Sequence, residues 1–260
     1  VKAIRRGAMM FKGMRIGWLP AWAALVALIS PSAVLGNGPN VGFDAGGLVP
    51  LASDQIQLAG EFVTVPIEGG RVSCQYDLRN LTDERKTVTI GFVTDVNWEA
   101  HGTDLAAYYG NADIEVRRGS QRIPIHLKAV AKDAWAPFLR NPPDSLPVWD
   151  VTFEPHQDVI LNISYEFIPS TGCDGDHCSL HGAYHARSAS LWAGKLEYAT
   201  IRFEFSALTS PLLNCCPDAD PCLSLKVEPG KALRTSRGYV WEFRDWEPDT
   251  DFSLQADWVE

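Results

Sequence analysis

The run IQLAGEFVTVPIEGGRVSCQYDLRN, Ile56 to Asn80, decides the fold. Its first part, Ile56 to Ile67, alternates between apolar and polar side chains. Gly69 and Gly70 then supply a turn, and Arg71 to Asn80 puts Val72, Cys74, Tyr76 and Leu78 on one face. A repeat of two is the period of a strand with one face buried.

The same rhythm continues outward from this pair. TVTIGFV (Thr87 to Val93) follows through the turn residues LTDER. ADIEVRRGSQRIPIHL (Ala112 to Leu127) reads as a hairpin closing at Gly119-Ser120. Beyond the Pro-rich NPPDSLP come VWDVTF and DVILNISYEFI, joined by Glu154-Pro155-His156-Gln157. KLEYATIRFEF, LSLKVEP, YVWEFRDW and DFSLQADW complete the series. Val, Ile, Thr and aromatic residues favour strands, and Gly and Pro punctuate them. The expectation is an all-β chain, an antiparallel β-sandwich of about ten strands with long loops. Helix is scarce: DLAAYYG (Asp104 to Gly110) is the best candidate, with a turn near DAWAPFLR.

The first 36 residues read as an export signal. Met14 opens MRIGWLPAWAALVALISPSAVLG, with Lys12 and Arg15 as the basic flank and an apolar run from about Ile16 to Ile29. Val34 and Gly36 fit the small-residue positions of a peptidase site, which places the mature start at Asn37. Val1 to Gly13 reads as an extension upstream of the start. The apolar run is shorter than the roughly 20 residues a membrane helix needs, and no second such run follows. Localisation in the periplasm or outside the cell is the consequence. Past the signal, the expected divisions are a first β region over 37–168, a Cys/His loop over 169–195, and C-terminal strands over 196–260.

Charge limits the partners. The signal holds five basic and no acidic side chains, so the remainder carries 18 Lys and Arg against 32 Asp and Glu, a formal net charge of −14. Such a chain repels phosphate backbones and anionic lipid, which argues against nucleic-acid or membrane-surface binding. A protein or a component of the cell envelope is the expected partner, with no membrane span once the signal is removed.

Several of these runs resemble an exported bacterial family, domain of unknown function 4424. The resemblance is carried by Gly46, Gly47, Leu48, Val49, Asp54 and Ile56, then by Tyr76, Asn80 and Thr82 in a Y-x-x-x-N-x-[ST] strand. Trp192, Gly194, Glu247 and Pro248 match in the later strands. It spans most of the mature chain and implies an exported β protein without an established activity. A looser similarity over Arg71 to Pro169, to the strand-rich domain of inter-alpha-trypsin-inhibitor heavy chains, implies an adhesion or scaffold role.

The stretch CDGDHCSLHGAYH, Cys173 to His185, is the densest in chemistry. Six cysteines, Cys74, Cys173, Cys178, Cys215, Cys216 and Cys222, suit disulfides in an exported chain. Asp174-Gly175 is a turn pair that lets Cys173 face Cys178, and CCPDADPC brings the chain back on itself. The preferred set is Cys173–Cys178, Cys216–Cys222 and Cys74–Cys215, with Cys215 and Cys216 interchangeable. The rival is a zinc or copper site from Cys173, Cys178, His181 and His185, with Asp176 or His177 in reserve. Four residues of extended chain span about 13 Å, too far for His181 and His185 to share an ion. The staple is therefore preferred, with no cofactor.

Catalytic signatures are missing: there is no G-x-S-x-G, S-x-x-K or H-E-x-x-H. His101 to Asp104, and the pairs Asp218/Asp220 and Asp249/Asp251, read as solvated turns. Asn80 and Asn162 stand in N-x-[ST] sequons that read as strand-end residues. Trp149, Trp192, Trp241 and Trp258 are expected in the core, whereas Trp98, Tyr108, Tyr109 and Trp135 are the residues a carbohydrate-binding face would display. The expected function is non-catalytic binding, with a metal-binding protein and a carbohydrate-binding module or hydrolase as the alternatives.

Overall fold

The structure, a computed structural model, describes residues 46–51, 55–93, 113–130, 145–167, 169–174, 177–205 and 222–259. All belong to the unit Pro39–Glu260. The expected signal, the expected helix at Asp104 to Gly110, the DAWAPFLR turn, Trp98, Trp135 and the Asp218/Asp220 pair lie outside them.

The chain is all-β. The first strands are β1 (Gly47–Pro50), β2 (Ile56–Pro66), β3 (Gly70–Asn80) and β4 (Lys86–Val93). Next come β5 (Glu115–Arg118), β6 (Gln121–Arg122), β7 (His126–Ala129), β8 (Ser145–Phe153) and β9 (Asp158–Phe167). Then follow β10 (Ser170–Asp174), β11 (His177–Tyr184), β12 (Leu196–Glu204) and β13 (Cys222–Glu228). The series ends with β14 (Leu233–Thr235), β15 (Gly238–Trp246) and β16 (Phe252–Val259). Among the described residues the strands number sixteen, beside an expectation of about ten, because short pieces such as β1, β6 and β14 are too brief to show alternation.

An eight-stranded sheet runs β14-β15-β12-β2-β3-β9-β5-β6, and two four-stranded sheets run β1-β4-β8-β7 and β10-β11-β16-β13. One apolar core draws on all three. Phe92 of β4 meets Tyr165 of β9 with ring centroids 4.8 Å apart, and Trp241 of β15 meets Phe252 of β16 at 5.1 Å. Trp149, Phe153, Phe203 and Phe252 are fully enclosed; burying a side chain of that kind is worth roughly 1.5–3 kcal/mol.

The opening pair of strands forms as its pattern requires. Gly69 and Gly70, both at positive φ, turn β2 into β3, and Val72, Cys74, Tyr76 and Leu78 are all buried. The hairpin at Gly119-Ser120 pairs Arg118 with Gln121. The alternation of β2, however, changes phase part-way. Leu58 stands opposite Leu78, yet Gly60 stands opposite Asp77. This β-bulge adds one residue and flips the strand's faces. Before it Ile56 and Leu58 point inward; after it Glu61, Val63, Val65 and Ile67 do. β12 then lies parallel to β2, with Tyr198 against Gly60. A Cβ on Gly60 would sit 2.1 Å from the Tyr198 ring, so only glycine admits that contact.

The stretch read as a Cys/His loop is a strand pair. β10 and β11 form an antiparallel hairpin, β11 also pairs with β16, and a 3-10 turn over Ala186–Leu191 follows. Its side chains meet the sheet rule of one face in and one out, with Cys178, Leu180 and Tyr184 buried. Asn80 is likewise more than a strand end. It is fully buried, its amide donates to Glu84 O at 2.7 Å and Glu154 O at 3.0 Å, and its oxygen accepts from Thr82 N and Oγ1. It ties the β3–β4 and β8–β9 turns together. No helix among the described residues is long and apolar enough to cross a membrane.

Candidate functional site

Three places concentrate polar chemistry: the Cys/His hairpin, a sealed string of hydroxyls around Glu61, and a cleft beside β15. They differ in what can reach them.

In the hairpin, Cys173 and Cys178 are direct cross-strand partners in the ladder. Cys178 is buried. Cys222 faces Trp258 of β16 from the side opposite Cys178. Cys215 and Cys216 lie outside the described residues. Cys74 departs from expectation: it is a free, buried thiol and not the anchor of a bridge to Cys215 or Cys216. The phase of β3 explains this, because it aims Cys74 into the interior beside Tyr76 and Tyr165.

His181 and His185 do not converge. His181 lies within extended β11, and His185 follows that strand's end, buried, with Nδ1 3.6 Å from Asp251 Oδ2. Asp251 also accepts from Arg187, from the backbone N–H at 3.0 Å and from Nε at 2.8 Å. Burial pushes its carboxyl up, but the bonds and charges of His185 and Arg187 outweigh that and hold it below the usual carboxylate range. Asp251 is thus a lock between the 3-10 turn and β16, not a solvated turn residue. Among the described residues no three His, Cys, Asp or Glu side chains gather as a metal cluster.

The second place was not visible as a site in the sequence. Glu61 is 1% exposed. The Tyr184 hydroxyl donates to its Oε1, and the Tyr184 and Tyr76 hydroxyls lie 3.1 Å apart. The Cys74 thiol bonds to Tyr76 and Tyr165, and the Tyr165 hydroxyl accepts from Gly46 N–H at 2.9 Å. Glu61 Oε2 has no hydrogen-bond partner among the described residues. Burial pushes the Glu61 carboxyl up to about 7, against the lowering effect of Tyr184. Burial also pushes the Cys74 thiol up to about 12 and the Tyr76 and Tyr184 hydroxyls well above their ordinary value. The Glu61 carboxyl, three tyrosines and a protonated thiol make a hydrogen-bonded strut between the large sheet and β11. Its signal in the sequence was the shift in apolar parity from Ile56 and Leu58 to Val63, Val65 and Ile67, with an acid caught on the inner side.

The third place is open. Between the loop Pro229–Lys231 and the turn at Asp249 and Thr250, the edge of β15 borders a cleft of about 500 Å³. That is within the usual range of about 300–1,000 Å³ for small-ligand pockets. Its wall is aromatic. The Phe243 and Trp246 rings stack with centroids 4.3 Å apart and planes 17° off parallel, and both also meet Phe252 edge-on. Trp241 is buried behind them and donates its indole N–H to Pro229 O at 2.8 Å, which fixes the loop to the strand. Three charged side chains, Lys231, Glu242 and Asp249, line the opening, and none pairs with another described residue. Trp149 and Trp192 fill the core as expected. Trp241 does so too, while also backing this wall.

No family profile and no curated protein matches the sequence. Its fold does have a likeness. A solved structure from Legionella pneumophila subsp. pneumophila strain Philadelphia 1, of a protein provisionally described as nutrient-binding, is similar at 14% identity with a TM-score of 0.59. The similarity covers 84% of this chain and 72% of that one. At such identity the likeness is one of architecture.

Proposed function

We propose that this protein is a non-catalytic binding protein and that the cleft beside β15 receives its ligand. One observation carries the reading: an aromatic wall, rigidly backed by Trp241, borders three charged groups left free for a partner. Buried ligand-facing aromatics with a few polar groups are what binding sites use. A binding role is also the one attached to the similar Legionella protein. The absence of a nucleophile or metalloprotease motif speaks against catalysis. The acid of most perturbed pKa, Glu61, is enclosed and has no route to a substrate.

The setting belongs to the same reading. The signal pattern over the first 36 residues supports reading the chain as exported, in keeping with the resemblance to domain of unknown function 4424. Cys173 is the natural partner of Cys178, since the ladder sets them opposite one another. A bridge there would pin the tip of the hairpin in an oxidising compartment.

The test is a thermal-shift screen with amino acids, mono- and oligosaccharides and short peptides, run on the protein and on Trp246→Ala. A ligand that raises the melting temperature of the first and not of the second supports the cleft. Ligands that act equally on both place binding elsewhere and overturn it.

A further inference from the structure

We propose that the occupant of the cleft is an extended, basic peptide segment that adds as a strand to the open edge of β15. The inference rests on the cleft being the ligand site and goes on to name the class of ligand.

β15 has two edges. On one, β12 pairs with it from Leu196 opposite Trp246 to Glu204 opposite Gly238, with Asp245 alone left out of the ladder. On the other, β14 covers only Gly238 to Val240. Past Val240 no described residue pairs with the strand on that side.

The direction of the unpaired groups follows from the ladder. In an antiparallel pair the backbone groups of alternate residues face alternate neighbours. The hairpin β14–β15 closes at Thr235 opposite Gly238, so Gly238 and Val240 turn their N–H and C=O toward β14. Arg237 O accepts from Phe205 N–H at 2.9 Å, which independently assigns the odd residues to the β12 side. The register to β12 runs on without a shift. Glu242 and Arg244 therefore direct their backbone donors and acceptors away from β12, into the side where the cleft lies. This accounts for an otherwise odd fact: Glu242 projects from the outer face of the sheet, yet it lines the cleft together with the inward Trp241 and Phe243.

An unpaired ladder bordered by an aromatic wall suits a polypeptide strand, whose backbone bonds to the edge while one side chain enters the apolar part. A sugar ring would need a free aromatic face. Phe243 and Trp246 already spend one face each on the other and meet Phe252 as well. Charge sets the preference for basic side chains. Glu242 and Asp249 outnumber Lys231 at the opening, and Asp245 near the end of β15 and Glu247 just after it are exposed.

The experiment begins with selection from a random dodecapeptide library, followed by anisotropy measurements on the selected peptide. Two copies of that peptide are made, N-methylated at one or the other set of alternate residues. Strand addition predicts that one set loses about tenfold or more in affinity while the other is nearly unaffected, since only alternate amides face β15. Glu242→Pro removes one edge donor without touching the β12 ladder, a position where proline is tolerated, and weakens binding similarly. Affinity falls with added salt. Equal sensitivity of the two methylated peptides overturns the inference, whether or not the proline variant folds. A sugar or small molecule that binds through Trp246, with no peptide selected, overturns the strand but keeps the cleft. No ligand of any class dependent on Trp246 removes both.

Discussion

Glu61 and Asp249 are both carboxylates, and the fold treats them in opposite ways. Glu61 sits 1% exposed, bonded to Tyr184, with one oxygen unmatched among the described residues. Asp249 stands exposed at a cleft with no described partner. The first is a group whose charge the molecule suppresses; the second is a group whose charge is on offer. Polar density alone therefore does not mark a binding site. What separates the two is access, and access here is set by one inserted residue in β2 and one short strand, β14.

The sharpest way to test the sealed region is its pH dependence. The folded carboxyl of Glu61 is raised to about 7 from an ordinary value of 4.5. The folded state thus holds its proton more tightly than the unfolded chain. The stability this confers is complete below about pH 4.5, drains as pH rises toward 7, and is absent above. A shift of that size corresponds to up to about 3 kcal/mol. Urea unfolding between pH 4 and 8.5 should show the decline, and Glu61→Gln should flatten it. A wild-type curve that stays level across this window would mean that Glu61 is not enclosed as described.

Much of this was legible in the chain and some was not, for physical reasons. The face bearing Val72, Cys74, Tyr76 and Leu78 followed from strand parity, and the structure buries all four. The turns at Gly69-Gly70 and Gly119-Ser120 followed from backbone freedom. Parity fails, however, wherever a bulge inserts a residue, and so the alternation of Ile56 to Ile67 did not mark Glu61 as the inward acid it is. Cys74 was misassigned because counting cysteines pairs them by number, while pairing in space depends on which face a strand turns. The cleft was missed because its parts come from two loops and a strand edge. Edges are a property of topology: nothing in YVWEFRDW says that β14 will stop at Val240's level.

The strut offers a second, smaller effect. Tyr184→Phe removes the donor to Glu61 Oε1 and the bond to Tyr76. Loss of a hydrogen bond at a buried group should cost about 1–3 kcal/mol. Because Tyr184 lowers the Glu61 pKa in the native protein, the variant should also lose its stability over a window displaced to higher pH. A drop in stability with the pH window unmoved would identify Tyr184 as a packing residue only.

The cleft supplies the contrast at the low end. Glu242→Gln and Asp249→Asn keep size and hydrogen-bonding capacity while deleting charge at groups that make no described ion pair. Surface changes of this kind usually stay within about 0.5 kcal/mol, so the urea midpoint of the double variant should match the parent's. Its affinity for a selected basic peptide should nonetheless fall, and the fall should shrink as salt rises, because screening has already removed the attraction in the parent. Unchanged stability with weakened, less salt-sensitive binding would place these carboxylates at the ligand. If stability falls instead, they serve the fold as Glu61 does, and the division between a sealed and an offered charge no longer holds.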